Sequence, residues 1–180
     1  MIRLDAATVL LQWAVGGLLF CWITTRHREV GLGYGWLLRG TYALIAAGGV
    51  AAGLRYGAVP VREAAGVGVV VASMVSLALS VVRRRAGVRG QDDEHDRRSA
   101  RVAAMTGIDR MVTRTETDAP GAAREFPPVA DLIAPVIGVV GLAAAGIDAG
   151  GNVTVSLLRT FVGAAFLGAV TDAMLLGHWY

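Results

Sequence analysis

The sequence predicts an all-α, polytopic integral membrane protein, with about five transmembrane helices packed through small residues. Three observations carry that prediction. Apolar runs long enough to cross a ~30 Å hydrocarbon core recur along the chain. Only 17% of residues are charged while 54% are hydrophobic, against about 25% charged in soluble domains, and most of the charge falls in one segment. The 24 glycines fall inside the apolar runs, a placement that membrane helices tolerate.

The first run covers 6–25, its 20 residues matching the span a bilayer core requires. Trp22 sits near its end, where an indole suits the interface. Arg26, His27, Arg28 and Glu29 stop it. The stretch GLGYG at 31–35 reads as a short connection to the second run, 36–54, with Tyr56 just beyond and Pro60 closing the next turn. The third run, 64–82, is Val-rich enough to suggest a buried strand, but 19 uninterrupted apolar or small residues favour a spanning helix.

Residues 83–128 form the long polar segment, with the acidic stretch QDDEHD at 91–96 between Arg-rich flanks. Within it, Val102, Met105, Ile108, Met111 and Val112 fall near helical spacing over 97–115, while Arg98, Arg101, Arg110 and Arg114 stay polar. That pattern predicts a short basic amphipathic helix lying on anionic lipid headgroups, with plain disorder as the competing reading. Gly107 in its middle costs about 1 kcal/mol against Ala. The acidic stretch lacks the spacing and glycine of a calcium loop and reads as solvated charge. The fourth run, 129–147, follows, then a connection holding Asp148, Gly150, Gly151 and Asn152, and a closing helix over 155–177.

Arginine placement sets the expected orientation. Ten Arg lie in 83–128, and Arg26 and Arg28 belong to the same side. Arg3, Arg55 and Arg62 fall on the other. The segment 83–128 is therefore expected in the cytoplasm and the N-terminus outside, in the inner (plasma) membrane of a cell. All 17 basic residues are Arg in a chain rich in Ala, Gly and Val, a composition expected of GC-rich, bacterial coding. The net charge of +3 is thus a matter of topology, and no nucleic acid is expected as a partner. The first run lacks the basic region and small-residue site of a cleavable signal peptide.

At an offset of 147, Leu10, Leu11, Val15, Gly16 and Thr24 recur as Leu157, Leu158, Val162, Gly163 and Thr171. This weak repeat suggests that the fifth helix opens a second copy of a four-helix unit, as in parallel-repeat transporters. The chain also ends at GHWY without a polar tail, and so reads as cut short.

Few polar groups enter the apolar runs. Asp172 and Arg39 lie at similar depths from the cytoplasmic side, and are expected to pair, with Arg26 or Arg28 as other partners for Asp172. The pair reads either as structural, fixing helix register, or as a proton or cation relay. Arg159 is expected to snorkel to the interface, with Asp148, Asp5 or Gln12 within reach. His178 lacks a second intramembrane His, so it reads as an interfacial residue beside Trp179 and Tyr180; no haem or other cofactor and no metal site is expected. A single cysteine, Cys21, makes no intrachain disulfide and no CxxC pair. The sequon at Asn152 lies almost at the membrane surface and is set aside. Small-residue pairs at Gly49/Gly53, Gly141/Ala145, Gly146/Gly150 and Ala164/Gly168 have the spacing of close helix contact.

With no Lys, no GxSxG and no HExxH, nothing points to an enzyme. The leading expectation is a non-catalytic subunit or assembly partner of a membrane complex, contacting the bilayer and other membrane subunits or itself. The alternative is a small transporter or half-transporter using Asp172 as a coupling carboxylate.

Overall fold

A computed structural model describes residues 5–26, 32–82 and 127–179. Among them are five helices and no strand: α1 (Ala6–Thr25), α2 (Leu32–Tyr56), α3 (Pro60–Val82), α4 (Ala130–Asp148) and α5 (Val153–Trp179). Each is long and apolar enough to cross a membrane. The expected amphipathic helix over 97–115, with Arg98, Arg101, Arg110 and Arg114, and the acidic stretch at 91–96 lie outside the described residues.

The boundaries differ from expectation where turn chemistry was misread. GLGYG is not a connection, since α2 already begins at Leu32 and takes in the rest of it. Pro60 does not close a turn but opens α3. At the first helical position its fixed φ is pre-organised and its missing N–H would have had no partner anyway. Asp5 caps α1, its carboxylate accepting from the Thr8 N–H at 2.7 Å. Asn152 likewise caps α5 by accepting from the Val155 N–H at 3.2 Å. Between α4 and α5 the chain turns through Gly150 and Gly151, with φ of 80° and 73°, a left-handed backbone that glycine adopts without penalty.

Helices α1, α2, α3 and α4 form a ring of neighbouring contacts, and α5 lies against α1 and α4. The central element is α1, with 56% of its most apolar window buried, against 22% for peripheral α5. The α1–α5 crossing is parallel, because Gln12 meets Thr160 while Gly16 meets Gly168. Backbones touch there: a Cβ on Gly16 would collide with the Ala164 carbonyl, and one on Gly168 with the Gly16 backbone. In lipid, where apolar surface gains nothing by leaving hydrocarbon, such close approach is what van der Waals packing requires.

The same device joins α3 to α4. Buried α3 residues Arg62, Gly66, Val69, Ser73, Ser76 and Ser80 repeat every three or four positions. Buried α4 residues Asp131, Ala134, Gly138, Gly141 and Ala145 do the same. Both seams follow the 3.5-residue spacing of helices packed at a shallow angle. Of the small-residue pairs read from the sequence, Gly49 packs on Ala7 and Leu10, Gly53 on Glu63, Gly141 on Ala65 and Leu11, and Gly146 on Leu157. They are used within the chain.

Candidate functional site

Two buried polar clusters sit at opposite ends of the bundle. The first gathers the end of α1, the start of α2, the start of α4 and the end of α5. Along α2, Tyr34, Leu38, Tyr42 and Ala46 recur every fourth residue and are fully buried, one helical stripe facing inward. Arg39, beside that stripe, is 4% exposed. Its Nε donates to Oδ1 of Asp131 at 2.7 Å, and its Nη2 donates to Oδ2. This planar, two-point geometry is the strongest form of Arg–carboxylate contact. It ties α2 to α4. Pro135, one turn into α4, has no N–H to give the Asp131 carbonyl, and Ser76 on α3 donates to the preceding carbonyl, that of Ala130, at 3.2 Å.

The expected Arg39–Asp172 pair is therefore not the one that forms. Asp131 intercepts the guanidinium. Asp172 is 2% exposed, and neither of its carboxylate oxygens has a hydrogen-bond partner among the described residues. The hydroxyls of Tyr34 and Thr24 lie beside the carboxylate, while the hydrogen bonds they complete at ordinary geometry run to backbone carbonyls. Thr24 Oγ donates to the carbonyls of Phe20 and Cys21 at 3.0 and 3.1 Å, and Tyr34 Oη donates to the backbone carbonyl of Asp172 at 3.5 Å. The Tyr42 hydroxyl is buried and has no hydrogen-bond partner among the described residues. Cys21, Tyr34 and Tyr42 all lie within electrostatic reach of Asp172.

The second cluster centres on Arg62, read from the sequence as a loop charge and in fact buried in the first turn of α3 at 2% exposure. Its guanidinium donates to Asp5 Oδ2 at 2.7 Å, Thr8 Oγ at 3.2 Å, Gly57 O at 2.8 Å and Glu63 Oε1 at 2.7 and 2.9 Å. One side chain thus fastens the start of α1, the α2–α3 turn and the start of α3. Burial pushes the Asp5 carboxyl up, but hydrogen bonds from Thr8 and Arg62, with the Arg62 charge, outweigh it and hold it below its ordinary value.

The remaining residues singled out from the sequence are scattered. Arg159 is exposed and has no ion pair among the described residues. Gln12 does not reach Arg159; its amide donates to the Thr160 carbonyl at 2.9 Å. Arg26 lies 5.0 Å above the Trp22 ring, while Arg28 is outside the described residues. His178 falls in the last turn of α5, and its side chain is outside what the structure describes. Among the described residues no group of His, Cys, Asp and Glu is arranged to hold a metal ion.

Sequence reasoning missed Asp131 and Glu63. The signal for Asp131 was available: it opens the fourth run at the end of the bundle where Arg39 also lies. Comparison of the chain with protein-family models, curated proteins and solved structures finds no match.

Proposed function

We propose that the chain is a helical component of a membrane complex, serving assembly rather than chemistry. The observation that carries this reading is the use made of its buried arginines. Arg39 on α2 forms a buried ion pair with Asp131 on α4, and buried Arg62 on α3 reaches the half-exposed Asp5 that caps α1 as well as its neighbour Glu63, one cluster at either end of the bundle. A rigid, doubly fastened bundle suits a scaffold. Its outer faces are apolar, and on peripheral α5 the exposed residues Leu158, Val162, Phe166, Val170 and Met174 repeat every fourth position, a stripe open to lipid or to a neighbouring subunit. We place the protein in a bacterial inner membrane with its N-terminus outside and residues 83–128 in the cytoplasm, where their arginines meet anionic headgroups.

The test is gentle extraction of the tagged protein, cross-linking and mass spectrometry. A membrane partner of fixed stoichiometry, cross-linked to the α5 stripe, supports the reading. A chain that purifies alone or only with copies of itself overturns it.

One observation favours a second reading, that of a small transporter or half-transporter. Asp172 is left out of the ion pairs, as a coupling carboxylate would be, and α5 runs parallel to α1 as a repeat requires. Gradient-driven uptake in proteoliposomes that Asp172→Asn abolishes would establish it. Equal flux from that variant would remove Asp172 from the mechanism.

A further inference from the structure

We infer that Asp172, with the Tyr34 phenol beside it and the Tyr42 phenol further along the same buried stripe of α2, is a binding site for one small monovalent cation, a proton or a sodium ion. The site lies where α1, α2 and α5 meet. It goes beyond the scaffold reading and uses the same carboxylate as the transport reading without requiring transport.

Titratable and polar groups from three helices face Asp172. From α1 come Cys21 and Thr24, from α2 Tyr34, Arg39 and Tyr42, and from α4 Asp131. Arg39 and Asp131 neutralise each other through two hydrogen bonds. What remains is the carboxylate of Asp172, buried and with both oxygens unpartnered among the described residues. An isolated carboxylate away from water is strongly unfavourable unless something neutralises it. The residual charge of the cluster is a single negative one, which one monovalent cation cancels and a divalent cation would overshoot.

The donors present suit such an occupant. Two carboxylate oxygens and the Tyr42 hydroxyl, without a partner among the described residues, are hard oxygen ligands, the type that a small hard cation takes. The Tyr34 hydroxyl, already at the Asp172 carbonyl, adds another. Asp172 is seven residues from the end of α5 at Trp179, so about 10 Å along the helix separates it from that end. The route in is short.

The test uses the full chain in lipid nanodiscs and the apolar reagent dicyclohexylcarbodiimide, which modifies protonated carboxyls in membrane interiors. The adduct is mapped by mass spectrometry across a pH series, in sodium chloride or in choline chloride of equal ionic strength. The expected result is an adduct on Asp172, lost in Asp172→Asn and lost as pH rises, with Asp131 unmodified. Suppression by sodium but not choline assigns a sodium ion; insensitivity to sodium assigns a proton. No adduct on Asp172 at any pH, or a yield that responds to neither pH nor sodium, overturns the proposal. Tyr42→Phe keeps the ring that packs on Gly17 and removes only the hydroxyl. It should shift the pH or sodium midpoint, and an unchanged midpoint would exclude that hydroxyl as part of the site.

Discussion

Arg62 shows what a single side chain does when its surroundings are apolar. Its five donated hydrogen bonds reach α1, α3 and the α2–α3 turn, so Arg62→Leu strands the Glu63 carboxylate, itself 7% exposed. Removing one partner of a buried pair costs about 3–5 kcal/mol, and we expect a lowered thermal midpoint in detergent together with reduced protein level. Asp5 belongs to the same cluster but faces water on one side. Its carboxyl is held below the ordinary value, so its contribution is fully present above about pH 4, the unfolded carboxylate range, and fades as pH falls through the depressed folded value. Asp5→Asn should therefore destabilise the protein at neutral pH and make less difference in acid, as thermal unfolding against pH would show. An equal effect at both pH values would mean that the Asp5 charge is not what Arg62 uses. Neither role was legible in the sequence. Arg62 looked like a topogenic loop charge because Pro60 was read as closing a turn instead of opening a helix, and one helical turn decides whether a charge is outside or buried.

At the scale of the element, the helices were legible and their contacts were not. Apolar length identifies a span because hydrocarbon demands it. Pairing depends on which face each helix turns inward, and the uniformly apolar α1 gives no periodicity to say so. The small residues did signal close packing, and Gly16, whose importance only the structure reveals, meets Ala164 and Gly168 at the tightest crossing. Overpacking a well-filled contact costs about 1–3 kcal/mol. Gly168→Leu should therefore separate α5 from α1, break the 2.8 Å hydrogen bond from Trp13 to Thr171, and lower the thermal midpoint. The same change at Ala165, on the exposed side of α5, should leave the midpoint in place. Similar losses from both would contradict the crossing.

For the whole molecule, one crossing by each of the five described helices that are long and apolar enough to span would put the start of α1 and the end of α5 on opposite sides of the membrane. Arg26→Cys and Gly57→Cys, in a Cys21→Ala background, should react with an impermeant maleimide from opposite faces. Labelling of both from the same face would contradict the five-span bundle. That bundle was readable from composition and apolar length alone. The electrostatic wiring inside it was not, because Arg39 has two acids near its end of the bundle and depth alone does not choose between them. The structure gives Arg39 to Asp131 and leaves Asp172 for another ligand. A double-mutant cycle on thermal stability tests this choice most directly, since coupling appears only between residues that share an interaction. Arg39→Leu and Asp131→Leu should each destabilise the protein, and the double variant should recover much of the loss, because two apolar groups replace a buried pair at little net cost. Arg39→Leu combined with Asp172→Asn should show much the weaker coupling, since the two share no hydrogen bond. Coupling of Arg39 to Asp172 instead of to Asp131 would contradict the account.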